Sequence, residues 1–290
     1  MASKTRVAGA AAVVVLTVGL SGCSEDGNGS GTAEGAPKGA PSGASEAQAV
    51  KAAYRTTVAA DTARMTVASK ATAKGKSVTV RGEGVMNLEA GDSQVTLTAQ
   101  GQRIEQRVLD GVVYQKPPAA QRAELPRGKT WMKIDLARLK QSASGNQDGQ
   151  VSDPAEPFTY TKGVSDRDVE KMGTETIDGA RTTHYRVTVD VKALAEGDSA
   201  KAEQMRRQLG TSTVPLDMWL DEQGRLRQET VRLTLRPQTT DAQKTPAVTS
   251  TTTLRFSDFG TKADVRTPPA KGTVDVTQKL ARATKSPGTA

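Results

Sequence analysis

Alternation of apolar and polar residues constrains the fold of this chain more than any other feature. A period of two residues is typical of a β-strand that buries one face and exposes the other. The pattern recurs in most segments after residue 61, separated by turn signals such as Asp110-Gly111 and Asp178-Gly179. Such dipeptides favour two-residue hairpin loops, which places Val108 opposite Val113 at the first of them. The strands are therefore predicted to form an antiparallel meander.

Two segments show helical periodicity instead. Residues 46–61 repeat apolar side chains at helical spacing after Ser45 and Gln48, which form a capping box. Residues 199–209 form a second helix that ends at Gly210. Eight or more strands with two sizeable helices predict an α+β fold. The expected architecture is a single, strongly curved antiparallel β-sheet, a half-barrel, with helices covering its concave face.

The apolar sides of the strands are predicted to share the concave face, because a slip of one residue would turn a whole apolar set towards water. An ordinary filled core and a hollow, ligand-holding one are both compatible with such a face. Leu88, Leu97 and Val189 are the residues expected to touch a ligand most directly. The full set is Val80, Met86, Leu88, Leu97, Val187, Val189, Met218, Leu220, Leu233, Leu254 and Phe256, partly covered by Val50, Tyr54, Met205 and Leu209 of the helices.

Glycines and tryptophans add two further expectations. Gly82 and Gly84 interrupt one strand on its apolar side and predict a bend or a bulge there. Trp131 and Trp219 fall on the face opposite the apolar stripe, where they are expected to serve packing, a partner surface or membrane contact.

The beginning of the chain is typical of an exported protein. Residues 1–22 have a basic start, no acidic residue and an uncharged apolar stretch from Val7 to Leu20, too short for an ordinary membrane-spanning helix. They end in Leu20-Ser21-Gly22-Cys23, which resembles the lipobox of bacterial lipoproteins. The resemblance implies that residues 1–22 are a lipoprotein signal peptide and that Cys23 becomes the lipidated first residue, a stable anchor once two acyl chains are attached.

The remaining boundaries follow from composition. Residues 23–45 comprise the lipidated Cys23 and a tether rich in Gly, Ser, Ala and Pro, which is predicted to be disordered with a reach of about 25 Å. Residues 46–272 are assigned to the half-barrel domain and residues 273–290 to a C-terminal tail.

Composition also excludes several classes of function. With one Cys and one His, the chain cannot build a zinc ribbon, a His-rich metal site or a disulfide scaffold. His184 is predicted to be a surface strand residue, and the carboxylate pairs Asp166/Asp168 and Asp217/Asp221 are assigned to polar strand faces or turns. No enzymatic activity, metal or cofactor is therefore expected. The net charge of +8 comes from scattered cations without interleaved aromatic residues, which argues against nucleic acid as a partner.

Four segments resemble a known family. They are Trp131-Met-Lys-Ile-Asp135, residues 173–190, residues 215–227 and Phe256-Ser-Asp-Phe-Gly260. With the lipobox and the tether, they resemble the LppX/LprG-type envelope lipoproteins of actinobacteria, which share a half-barrel fold with the LolA carrier and the LolB receptor. The resemblance covers roughly residues 46–270 and implies a sheet wrapped around an apolar cavity that takes up acyl chains. It transfers no individual binding residue.

These expectations combine into one leading hypothesis and one alternative. The leading hypothesis is a non-enzymatic envelope lipoprotein that binds or carries lipids or lipidated molecules. It would be held by the acyl chains of Cys23 on the outer, extracytoplasmic face of the cell membrane. Its partners would be a lipid or acylated ligand, the membrane and possible envelope proteins, and not nucleic acid. The alternative is an envelope sensor or regulatory interaction module built on the same fold.

Overall fold

The computed structural model of the chain describes residues 45–143, 164–195, 197–236 and 246–285. These ranges hold six α-helices and twelve strands. The helices are α1 (Glu46–Val58), α2 (Ala119–Arg122), α3 (Leu136–Ala143), α4 (Val191–Leu194), α5 (Ser199–Leu209) and α6 (Thr277–Lys285). The strands are β1 (Thr62–Ala73), β2 (Lys76–Asn87), β3 (Ser93–Ala99), β4 (Gln102–Leu109), β5 (Val112–Lys116), β6 (Trp131–Asp135), β7 (Val169–Ile177), β8 (Ala180–Asp190), β9 (Thr213–Asp221), β10 (Leu226–Leu235), β11 (Val248–Ser257) and β12 (Thr273–Asp275).

All of these strands belong to one sheet, in the order β12-β6-β5-β4-β3-β2-β1-β11-β10-β9-β8-β7. Neighbouring strands are antiparallel, except that β12 runs parallel to β6. The pairing of β1 with β11 joins the first run of strands to the second. Strands β12 and β7 lie at the two edges and do not pair with each other, so the sheet is open. The predicted fold class, an α+β curved half-barrel, is confirmed.

Tight turns explain the regular register of the hairpins. At Asp110-Gly111 both residues have positive φ angles, 49° and 70°, and Val108 lies opposite Val113, as predicted. Asp178-Gly179 has the same geometry, with φ angles of 47° and 78°. Positive φ at both central residues defines a turn whose twist matches that of the flanking strands. Lys74-Gly75 and Gln100-Gly101 close two further hairpins in the same way.

The register gives the sheet two chemically different sides. Met65 lies opposite Phe256, and Val67 lies opposite Leu254, so these four side chains share one side, which we call the apolar face. The opposite side, which we call the polar face, carries Thr, Arg and Glu residues in the alternate positions. Trp219 lies opposite Gln228 and His184, which places it on the polar face, as the alternation predicted.

Two glycines bend the sheet towards the apolar face. A Cβ atom built on Gly84 would point towards that face and would lie 2.8 Å from the Cα atom of Val95 on the neighbouring strand β3. The backbone of β3 therefore rises over Gly84 on the apolar side. At Gly82 the same position is filled by the side chains of Leu97 and Val67. The pairing of β2 with β3 has no register shift here, so the glycines mark a bend and not a bulge.

Helix α1 covers part of the apolar face. Ser45 and Gln48 form the predicted capping box, in which the backbone N–H of Gln48 donates to the Ser45 hydroxyl oxygen at 3.3 Å. The helix ends at Val58, three residues before the predicted end. Val50 and Ala53 are fully buried against the sheet. At the last turn, the hydroxyl of Thr57 accepts a hydrogen bond from the Leu226 backbone N–H at 2.8 Å, which ties the helix to β10.

Residues 273–285 are part of the folded unit, which corrects their assignment to a C-terminal tail. Residues Thr273–Asp275 form β12 at the sheet edge, and Thr277–Lys285 form α6. Ala281 of α6 is buried with Leu136 and Leu139 of α3, so the two helices pack together. The polar residues beyond Lys285 indicate a tail. Before them, however, Val276, Leu280 and Ala281 have the spacing of a helix that buries one side.

Candidate functional site

The apolar face consists of a closed part and an open part. The closed part lies beneath α1 and is a single cluster of buried side chains, which we call the buried base. Its largest members are Met65, Met86, Leu88, Leu97, Met218, Leu226 and Phe256, all at most 2% exposed. Exposure this low is that of ordinary core residues. At Gly82 the side chains of Leu97 and Val67 already occupy the space that a Cβ atom would take, which supports the filled form of the core there.

The structure brings together nearly all the residues predicted to line a cavity. Nine of them belong to the buried base: Val80, Met86, Leu88, Leu97, Val187, Val189, Met218, Leu220 and Phe256. Leu254 is half-buried and packs against this cluster. Leu233 is half-buried and lies outside the cluster. The shared face is thus as predicted, whereas ligand contact at these positions stays a prediction.

The open part of the apolar face lies towards the β1–β2 turn. Ala71, Leu233, Leu235 and Val248 are half-buried there, and Val78 is 42% exposed. Val78 lies opposite Ala71, and Val248 lies opposite Leu235, so the set spans four strands, β2, β1, β11 and β10. We call these five residues the open strip. It is the region of the apolar face where apolar side chains are partly accessible.

Hydroxyl groups border the open strip, a feature that the sequence reasoning missed. Ser69 and Thr252 lie opposite each other between the strip and the buried base, and their hydroxyl oxygens are 3.0 Å apart. Ser250 lies between Ala71 and Leu233. The run of Ser and Thr in residues 249–253 was the available signal, because in a strand every second member of that run must lie on the apolar face.

Helix α5 differs from its predicted role as a cover of the apolar face. It lies against α4 and β10, and Ala202 is its only buried residue. Met205 and Leu209, which were expected to cover the cavity, are half-buried and do not belong to the buried base. Four of its eleven residues are charged, and the carboxylate of the N-cap residue Asp198 accepts hydrogen bonds from the backbone N–H groups of Ala200 and Lys201. Of the two helices predicted to cover the face, α1 alone belongs to the buried base.

The polar face contains a compact cluster of charges around Asp217. The Asp217 carboxylate is 4% exposed and accepts hydrogen bonds from His184 and Arg186, each at 3.1 Å, and from Arg232. Burial raises the pKa of Asp217, but the hydrogen bonds from Arg232 and His184 and the charge of Arg186 outweigh it, so the pKa lies below its ordinary value. The His184 ring stacks on Trp219 with centroids 4.2 Å apart. His184 is therefore a half-buried member of a network and not a simple surface histidine.

The other carboxylates weighed as acid–base candidates have structural partners. Asp168 accepts from the Ser165 backbone N–H at 2.9 Å, and Asp166 accepts from the Ala47 N–H at the start of α1. Asp221 accepts from the Gln223 and Arg225 N–H groups and closes the β9–β10 turn. Each of these groups satisfies backbone donors, as a turn or cap residue does.

A shallow groove of about 540 Å³ lies on the polar face over β1 to β4 and β11. Small residues form its floor, because Ala68, Thr66 and Thr98 stand between longer side chains. Arg81, Arg103, Arg255 and Glu83 form its rim. It is a polar and mainly cationic depression, chemically unlike the open strip on the other side of the sheet.

Two features are absent from the described part of the chain. Those residues contain no group of three or more His, Cys, Asp or Glu side chains placed to hold a metal ion. Within the same ranges, no helix has the length and apolar character needed to cross a membrane. Cys23, the predicted signal peptide and residues 24–44 of the predicted tether lie outside the described residues.

Comparison with known proteins gives one relative by sequence. No protein-family model matches the chain. A 31.2 kDa protein of Streptomyces griseus, described by its place in the rplA–rplJ intergenic region, is 33% identical over 176 residues. The match covers 56% of this chain and 53% of that protein, so the chain spans about half the length of the curated relative it matches.

Several solved structures are similar in fold. The lipoprotein LppX of Mycobacterium tuberculosis is 17% identical with a TM-score of 0.43, covering 75% of this chain and 98% of that one. LprF from Mycobacterium bovis is 13% identical with a TM-score of 0.41, covering 77% and 96%. A LolA-superfamily protein from Nitrosomonas europaea is 13% identical with a TM-score of 0.28, covering 79% and 96%.

Proposed function

We propose that this chain is a non-enzymatic envelope lipoprotein that binds the acyl chains of a lipid or lipidated molecule along the open strip. One observation supports this most directly. The apolar face continues beyond its helix cover as a row of half-buried and exposed apolar side chains, with Val78 42% exposed. Contiguous apolar surface left in contact with water marks a binding site more often than an accident of folding.

The driving force for such binding is the removal of apolar surface from water. An acyl chain that buries about 200 Å² of apolar surface against the strip gains about 5 kcal/mol. This is enough for reversible binding and too little for permanent retention, as a carrier requires. The buried base supports the strip from below, because its side chains are almost entirely excluded from water.

The polar end of the ligand would stay near the hydroxyl groups beside the strip. Ser69, Ser250 and Thr252 can donate or accept hydrogen bonds, and they interrupt the aliphatic lining at its centre. Such groups accept many kinds of headgroup, so selectivity would depend mainly on the length and shape of the acyl chain.

The anchor belongs to the same proposal. Acyl chains on Cys23 would hold the protein at the extracytoplasmic face of the cell membrane. The tether, with its reach of about 25 Å, would leave the half-barrel free to turn. Lipids in the same membrane are then the ligands most available to the open strip.

Native mass spectrometry of residues 23–290 tests the proposal. The protein should be purified gently and then exposed to a membrane lipid extract. Parent protein should carry a lipid mass, and Val78→Asp should lose it, because the new charge lies within the open strip. Thr79→Asp is the matched control, since the neighbouring position in the strand points to the polar face and its charge should leave occupancy unchanged.

Two results would contradict lipid binding. One is a parent protein that carries no lipid and takes none from the extract, and the other is equal loss in both variants. A parent without lipid that retained one envelope protein at fixed stoichiometry would instead favour the regulatory interaction module.

A further inference from the structure

The β1–β2 hairpin has an unusual distribution of charge. Between residues 62 and 82 the chain holds Arg64, Lys70, Lys74, Lys76 and Arg81 and no Asp or Glu. Four of these cations lie in the half of the hairpin next to its turn, and all four are exposed. None of those four has an ion pair with another described residue. Some other cations of the sheet, such as Arg225 and Arg186, do pair with a carboxylate.

The same half of the hairpin exposes an apolar side chain. Val78 and Met172 are the large apolar residues that the described chain leaves exposed, and Val78 lies two residues from Lys76. Val78 belongs to the open strip, so the cationic turn and the accessible end of the apolar face coincide. Thr72 and Ser77 are joined by a hydrogen bond of 2.8 Å between their hydroxyl groups, which stiffens the hairpin near its tip.

Lys74 and Lys76 at the turn stand beside the small exposed apolar contact of Val78, whereas Lys70 and Arg81 lie on the polar face of the same hairpin. This combination matches one kind of surface: an anionic membrane attracts lysines through its negative potential, and its interfacial region accepts an apolar side chain. An acidic soluble protein would satisfy the lysines but would give the single exposed apolar side chain at the turn little to contact. We propose that the turn half of the β1–β2 hairpin docks on an anionic membrane surface and presents the open end of the apolar face to it.

This inference goes beyond the proposed function, because the hairpin can dock whether or not a lipid enters the open strip. Each lysine near a strongly anionic surface changes membrane partitioning by about fivefold. Neutralising two of them should therefore weaken binding by at least about tenfold. High salt should weaken it as well, because the attraction is screened within about 10 Å at 0.1 M salt.

Sedimentation with vesicles tests the proposal. Residues 23–290 with Cys23→Ser keep every described residue and cannot carry an acyl anchor. They should be mixed with vesicles of phosphatidylglycerol and phosphatidylcholine, or of phosphatidylcholine alone. Lys74→Asn with Lys76→Gln removes two hairpin charges, and Asn suits the positive φ angle of 50° at position 74. Arg127→Gln with Lys192→Gln removes the same net charge from exposed positions elsewhere.

The expected result is binding to the anionic vesicles alone, at least tenfold weaker for the hairpin variant and within twofold of the parent for the control. Equal loss in both variants would show a general effect of net charge and would overturn the proposal. So would failure of the parent to bind anionic vesicles. Hairpin-dependent binding to dextran sulfate without binding to vesicles would assign the site to a soluble polyanion and would also overturn it.

Discussion

Replacing Gly84 by alanine should destabilise the protein more than the same change at Gly82. At Gly84 the new Cβ atom would meet backbone, at 2.8 Å from the Cα atom of Val95 and 2.9 Å from the carbonyl carbon of Gln94. Backbone paired in the sheet cannot move away without breaking the β2–β3 register. At Gly82 the Cβ atom would meet the ends of side chains, 2.6 Å from Leu97 and 2.7 Å from a Val67 methyl group, which can rotate.

Overpacking of a core costs about 1–3 kcal/mol, and the cost rises where the neighbours are fixed. Gly84→Ala is therefore expected to lower the free energy of unfolding by about 3 kcal/mol or more, and Gly82→Ala to lower it by about 1 kcal/mol. Urea unfolding followed by circular dichroism measures both. Gly101→Ala is a useful reference, because its turn has a φ angle of 74° and open space around it, so it reports backbone strain without a clash. The bend towards the apolar face would be refuted if Gly84→Ala cost no more than Gly82→Ala.

Three further changes test other parts of the structure. Thr57→Val should cost about 1–3 kcal/mol in unfolding free energy, since it leaves a buried N–H of β10 without its acceptor. Thr56→Val, whose hydroxyl bonds only within α1, should cost less than 1 kcal/mol in the same chemical-denaturation assay. Asp217→Asn should destabilise the protein near neutral pH more than Asp264→Asn does. The pKa of Asp217 is lowered in the folded state, so the ionised carboxylate stabilises the fold. This stabilisation is complete when the pH is above the ordinary pKa of 3.8, and it is lost as the pH falls through the lower pKa of the folded state. The difference in melting temperature between Asp217→Asn and the parent should therefore shrink in acid. Leu97→Trp should lower the stability by about 1–3 kcal/mol, because the buried base is filled, and a near-normal melting temperature would indicate a hollow core there.

The strand pairing was predictable because it depends on short-range signals. At Asp110-Gly111, the two residues that accept positive φ angles fix the loop length, and the loop length fixes which residues face each other. The alternation then assigns each side chain to a face, which is why most of the predicted cavity residues meet in the buried base.

The features that were missed depend on contacts over long distances in the sequence. His184 and Asp217 are 33 residues apart, and the arginine that completes their network lies on a third strand. No local pattern shows such a cluster. Strand β12 is three residues long, too short for alternation to be recognised, and its pairing with β6 depends on the path of the whole chain.

Photochemical labelling tests the central claim most directly. A fatty acid with a diazirine near the end of its chain should be bound by residues 23–290, irradiated and mapped by peptide mass spectrometry. Acyl binding along the open strip predicts labels on peptides that contain Ala71, Val78 and Leu233, and competition by an unlabelled fatty acid should remove them. Labels confined to polar-face residues such as Thr98, or labels that competitor does not remove, would contradict the account.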